Sequence, residues 1–179
     1  MAATSPPPRS GLIIEVPEAE PAVRHLRERL DASAPLGVPA HITVLFPFMP
    51  PETVDAGALA RLAELFAGVG MFGFQLDRTS WFGADVLWLG PRDARPFRVL
   101  TQRVFSAFPD FPPFEGVFED VVPHLTVGHG HPVSELRDAE DLVQARLPIH
   151  GRAAAVTLMA QRTAGAHWTR LATFSLGLT

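Results

Sequence analysis

Val38-Pro39-Ala40-His41-Ile42-Thr43-Val44 and Val122-Pro123-His124-Leu125-Thr126-Val127 are near copies of one another, and their reading decides the fold. Each carries a His-apolar-Thr-apolar tetrad just after a proline. Side chains alternate across a β-strand, so residues i and i+2 share a face. On a strand, His41 and Thr43 therefore point one way, while Ile42 and Val44 point the other way into a core. The same parity separates His124 and Thr126 from Leu125 and Val127. A proline lacks the backbone donor, which suits a position where ladder pairing has not begun. One such tetrad says little, because a strand histidine is more often structural. Two in matching context say much more.

The same order of elements surrounds each tetrad. Residues 11–16 read as a buried strand, and 17–30 as a helix with Val23, Leu26 and Leu30 on its apolar face. A Pro/Gly-rich loop over 31–40 leads to the first tetrad strand, 41–47. A helix over 53–66 and a strand over 73–82 close this half. Residues 85–89 then read as a strand, 95–108 as a helix, 109–116 as a proline-rich loop and 121–127 as the second tetrad strand. A helix over 134–145, with Ser134 as its N-cap, and strands over 153–161 and 168–176 finish the chain. The pattern predicts an α+β fold of two pseudo-symmetric repeats, about 11–82 and 83–179, in one domain (11–179) behind a loose tail, 1–10. Short links between strands point to mostly antiparallel sheets around a central cleft, with the helices outside.

Composition narrows the chemistry. Of 179 residues, 47% are hydrophobic and 19% charged, as in a packed globular protein. There is no cysteine and no lysine, so thiol nucleophiles, disulfides, lysine Schiff bases and a P-loop lysine are excluded. The net charge of −4 does not suit a protein that grips long nucleic acid, whose affinity comes largely from neutralising phosphates. No apolar run is long enough to span a membrane. The N-terminal residues lack the apolar core of a secretory signal. The expectation is a cytoplasmic monomer, with neither a membrane nor a long duplex as partner.

Two imidazoles facing each other across a cleft suit in-line displacement at phosphorus. One takes a proton from the attacking oxygen and the other gives a proton to the departing oxygen. Histidine, with an ordinary pKa of about 6.5, can do either near neutrality. The hydroxyls of Thr43 and Thr126 can donate to non-bridging oxygens, where charge must be held. The scheme calls for no metal and no cofactor.

At these residues the chain resembles the two-histidine (2H) phosphoesterase superfamily, and within it the bacterial 2'-5' RNA ligase or RNA 2',3'-cyclic phosphodiesterase family. The resemblance rests on His41-Ile42-Thr43-Val44-Leu45-Phe46-Pro47-Phe48, Asp85-Val86-Leu87-Trp88-Leu89-Gly90, Val122-Pro123-His124-Leu125-Thr126-Val127 and the final strand, 168–176. It implies a bilobal fold with both tetrads in the cleft. His41 and His124 would be the acid–base pair, and Thr43 and Thr126 the phosphate-binding hydroxyls. The implied reaction is opening of a 2',3'-cyclic phosphate, on a small nucleotide or an RNA terminus, to a 2'-phosphate. A silent nucleotide- or RNA-end-binding module and a 2'-5' ligase-type activity are the alternatives. Ligase-like members often carry a basic residue soon after the second tetrad, whereas Gly128, His129, Gly130 and His131 follow it here.

Other residues invite roles. Trp81 and Phe82, at a turn beside Gly83, are candidates for stacking on a base, and Trp168 is a large aromatic more readily read as core. Arg162 and Arg170 could flank the cleft or lie on a solvated face. His129 and His131 could suggest a metal-assisted hydrolase, but an unbroken strand would place them on the face opposite His124. Glu115, Glu119 and Asp120 read as loop charges.

Overall fold

In the computed structural model, which describes residues 7–117 and 121–177, strand propensity and helical periodicity resolve into eight strands and four helices. The order is β1 (Arg9–Glu15), α1 (Glu20–Leu30), β2 (His41–Leu45), α2 (Ala56–Ala67), β3 (Phe72–Phe82), β4 (Val86–Pro91), α3 (Arg95–Ala107), β5 (Leu125–His129), α4 (Val133–Gln144), β6 (Ile149–Ala153), β7 (Ala155–Gln161) and β8 (Thr169–Ser175). The strands form two four-stranded antiparallel sheets, β2-β1-β7-β8 and β5-β4-β3-β6. Each tetrad strand is thus the outermost strand of its own sheet, and β2 and β5 touch where the two edges meet. The architecture is α+β, as the repeat predicts.

The helices exchange partners between the halves. α1, which leads into β2, packs on β5, and α3, which leads into β5, packs on β2. Each tetrad strand is therefore braced by the helix of the other half, which fixes the spacing of the two edges. The braces are tight. Thr101 of α3, buried, donates to the Val44 carbonyl at 2.7 Å. At Gly128 on β5, a Cβ would come within 2.6 Å of Leu136 Cδ2 and 2.9 Å of Leu30 Cβ, so only glycine lets α1 and α4 approach so closely. The core on this side joins Leu12 and Ile14 of β1, Ile42 and Val44 of β2, Leu87 and Leu89 of β4, and Leu125 and Val127 of β5.

Several expectations shift. The tail does not reach residue 10: Arg9 and Ser10 belong to β1 and pair with Gln161 and Ala160, and Ser10 donates to the Met49 carbonyl at 2.6 Å. The strand expected over 153–161 is β7, beginning at Ala155, and before it stands an unforeseen strand, β6, which ends at Ala153 and belongs to the other sheet. β5 begins at Leu125 rather than 121, because Pro123 stands one residue before His124; in the first copy Ala40 separates the proline from His41. α4 starts at Val133 with Pro132 at its N-cap and no side-chain cap, so Ser134 lies inside the first turn. Glu119 and Asp120 lie outside the described residues.

Candidate active site

In each tetrad the histidine and threonine share one face, as the alternation requires. His41 and Thr43 are half-buried between buried Ala40, Ile42 and Val44, and His124 and Thr126 are half-buried between buried Pro123, Leu125 and Val127. The two imidazoles are held identically. Nδ1 of His41 lies 2.7 Å from the Pro39 carbonyl, and Nδ1 of His124 lies 2.7 Å from the Val122 carbonyl. A carbonyl oxygen only accepts, so in each ring Nδ1 carries the hydrogen and Nε2 keeps its lone pair for the cleft. Burial pushes both histidines below their ordinary range, against the pull of these carbonyls. His41 is pushed down to about 4, by burial first and then by the Arg27 guanidinium, with His124 adding to the effect. The Thr43 and Thr126 hydroxyls make no hydrogen bond to protein among the described residues, which leaves both free to donate.

Behind His41 stands a buried ion pair. Arg27, 2% exposed, donates through Nε and Nη2 to Asp31 at 3.2 and 2.8 Å and through Nη1 to the Val38 carbonyl at 3.2 Å. Asp31 in turn accepts from the backbone and hydroxyl of Ser33, at 2.9 and 2.8 Å. This network fixes the loop whose next carbonyl, that of Pro39, orients His41. Burial pushes the Asp31 carboxyl up, but Arg27 and Ser33 outweigh it and hold its pKa below the usual value.

In front of His41 and Thr43 opens a hollow of about 190 Å3, mostly apolar, walled by Gly11, Ile13, Met159, Phe46 and Trp168. Phe46 and Trp168 are inclined, with centroids 6.1 Å apart. Trp168 is therefore a wall of the cleft rather than core. His124 has different company. Phe82 stacks on Trp88 at 4.9 Å and meets the His124 ring edge-on at 4.9 Å, and Trp88 lies 5.7 Å from that ring. Trp88 escapes notice in the sequence amid an apolar run, yet it alternates with buried Leu87 and Leu89 and so shares the face of its ladder partner Thr126.

Three tempting residues are placed differently from expectation. Trp81 is on the helix side: its Nε1 donates to Glu140 of α4 at 2.9 Å, and Arg137 lies over its ring at 4.6 Å. Trp81 and Phe82 are adjacent on one strand, so only Phe82 can share the face of the tetrads. A register shift in β5 pairs Thr126 with Trp88 but His129 with Val86, which returns His129 to the cleft face, at its outer end, instead of opposite His124. Arg170 donates to Glu15 at 2.7 Å, beside His41 in the ladder, so its charge is cancelled there. Among the described residues no three His, Asp or Glu side chains gather as a metal site requires. No helix among them is long and apolar enough to cross a membrane.

Two antiparallel sheets meeting at paired His-x-Thr edges define a 2H-phosphoesterase type of protein. The profile of the 2'-5' RNA ligase superfamily matches residues 15–165, and the chain belongs to that superfamily. No curated protein matches it significantly. Among solved structures it is similar to E. coli LigT complexed with NADP+ (24% identity, 97% of this chain and 99% of that one, TM-score 0.58). It is also similar to E. coli LigT complexed with 3'-AMP (20% identity, 96% and 99%, TM-score 0.59). TT0787 of Thermus thermophilus shares 18% identity over 94% of this chain and 97% of that one, with a TM-score of 0.59. At these identities the likeness is one of fold.

Proposed function

We propose that the protein is a 2',3'-cyclic phosphodiesterase in which His41 and His124 act as general base and general acid without a metal. The observation that carries this reading is the matched pair of imidazoles, each fixed by an Nδ1–H to carbonyl bond of 2.7 Å with Nε2 left for the cleft. One Nε2 accepts a proton from water as its oxygen attacks phosphorus. The bond from phosphorus to the 3' oxygen breaks, and the other imidazole, protonated, gives its proton to that oxygen, leaving a 2'-phosphate. The bound phosphate anion draws a proton onto one imidazole, which offsets the burial that keeps both neutral in the free protein. Thr43 and Thr126 hold the non-bridging oxygens. The hollow beside His41 has the size and apolar walls to take a nucleobase against Phe46 and Trp168. That LigT has been crystallised with 3'-AMP and with NADP+ is consistent with a nucleotide-sized ligand.

The test is product analysis with the four nucleoside 2',3'-cyclic phosphates in the presence of EDTA, with wild type run beside His41→Ala and His124→Ala. The expected result is a single phosphate isomer from wild type and little product from either variant. Turnover that depends on added metal, or a variant that keeps most of the wild-type rate, overturns the mechanism. Tight nucleotide binding without product identifies a binding module instead.

A further inference from the structure

Arg9 belongs by its sequence position to the tail, yet the fold carries it into the cleft. β1 places Arg9 on the face of Gly11 and Ile13, two walls of the hollow. Its guanidinium lies 5.8 Å from the Phe46 centroid and 5.9 Å from that of Trp168, the two aromatic walls. It is also held from behind. Nη2 donates to Gln161 Oε1 at 3.0 Å, and Gln161, 2% exposed, is itself fixed by donating to the Ala166 carbonyl at 2.8 Å. Two features show that this arrangement is unfinished. Nε of Arg9 is buried without a hydrogen-bond partner. No carboxylate pairs with Arg9 among the described residues, whereas Arg27 is neutralised by Asp31 and Arg170 by Glu15.

We infer that Arg9 is an anion subsite of the cleft, which takes the phosphate on the 5' side of the nucleotide whose base lodges in the hollow. The inference rests on the reading of the cleft as a cyclic-phosphate site and extends it: the preferred substrate is an RNA end or a 5'-phosphorylated nucleotide, not a bare cyclic mononucleotide. The spacing is suitable. Ile13 pairs with Thr43, and four steps of strand separate it from Arg9, about 13 Å at the strand rise. The Arg9 side chain lies over Phe46 and Trp168, on the walls of the hollow that His41 and Thr43 also line. A preorganised, unneutralised guanidinium is the group that recognises phosphate by paired hydrogen bonds. It also supplies locally the positive charge that the net balance of −4 withholds from the molecule as a whole.

The experiment compares adenosine 2',3'-cyclic phosphate, its 5'-phosphorylated form and the dinucleotide ApA ending in the same cyclic phosphate. Each is turned over by wild type and by Arg9→Met, which keeps length and packing against the rings. Wild type should favour both 5'-extended substrates by tenfold or more in kcat/KM, and the advantage should shrink with rising salt. In Arg9→Met the ratio should fall close to one. An advantage for the 5'-phosphorylated mononucleotide but not for ApA assigns the subsite to a terminal phosphate, and an advantage for both assigns it to the backbone of an RNA end. To separate this outcome from failure of the proposed reaction, adenosine 3',5'-bisphosphate and 3'-AMP are titrated calorimetrically, which needs no turnover. Tighter binding of the bisphosphate by wild type, lost in Arg9→Met, supports the subsite whatever the chemistry at the histidines. Equal binding of the two by wild type, or a preference that survives in the variant, overturns it.

Discussion

His41 and His124 are alike within two residues of their rings and unlike beyond them. Each has Nδ1 on a carbonyl two residues upstream at 2.7 Å, and each shares its face with a threonine. Behind His41, however, lies a buried guanidinium paired with a carboxylate, and before it an apolar hollow. Among the described residues no such charge stands behind His124, which leans on Phe82 and Trp88. The two tetrads share the local device that fixes an imidazole. The surroundings are free to diverge: burial makes both histidines harder to protonate, and the Arg27 guanidinium adds to that effect at His41. The sharpest way to break the equivalence is to remove each ring in turn. His41→Ala and His124→Ala should each lower kcat on a cyclic phosphate by about 10²–10⁴, the range for general acid–base catalysis. The double variant should be little worse than the poorer single, because the two act as one unit. A variant that retains most of its kcat would show that only one half of the repeat works.

The next largest effect lies in the asymmetric part. Arg27→Met strands Asp31 in the core, and removing one partner of a buried pair costs about 3–5 kcal/mol. Arg27→Met with Asp31→Leu removes both charges and should recover most of that loss in urea denaturation. In the double variant the His41 pKa, followed by NMR, should rise, because Arg27 is the larger of the two charges acting on it. The His124 resonance should hardly move.

Acid stability sharpens the comparison further. His41 titrates near 4 when folded and near 6.5 when unfolded, so between these values the unfolded chain binds more protons. Stability is therefore lost as pH falls from about 6.5 to about 4, by at most on the order of 3 kcal/mol from this group. His124 contributes in the same direction. Denaturation midpoints for His41→Asn should fall less steeply across this window than those of wild type. An unchanged slope would mean that His41 is not held neutral by the fold.

How much of this the sequence discloses depends on whether a signal is local. The tetrads, their parity and most of the order of elements follow from period-two alternation and helical spacing, although β5 begins only after His124 and β6 is not foreseen. What the sequence conceals is set by partners far along the chain. Arg9 reads as tail because its partner, Gln161, comes from a neighbouring strand 152 positions away in the chain. β6 hides because His150, Gly151 and Arg152 break its apolar pattern, and only the division into two sheets gives Ala154 its meaning. His129 defeats a parity argument that is sound for a regular strand, since a bulge adds one residue and exchanges the faces. The exchange of α1 and α3 between halves leaves no local trace, because an apolar stripe does not name the sheet it will cover.

The smallest effect concerns the two adjacent aromatics, which sequence reasoning treats alike and the fold separates. Trp81 ties β3 to α4 through Glu140, which also accepts from Thr79 at 2.8 Å and from Arg137 at 2.8 Å. Trp81→Phe removes one donor from a carboxylate that keeps two others. The cost should be about 1 kcal/mol of stability, the worth of a single hydrogen bond, with kcat/KM on cyclic phosphates unchanged. Phe82→Ala removes the ring that meets His124 edge-on and covers Trp88. It should leave stability nearly untouched, because Phe82 is 37% exposed, but alter kcat or KM several-fold by freeing the His124 ring. The opposite pattern, with Trp81→Phe impairing catalysis and Phe82→Ala impairing only stability, would mean that the cleft lies on the helix side of β3. The pairing of Phe82 with His124, and with it the second half of the site, would then have to be abandoned.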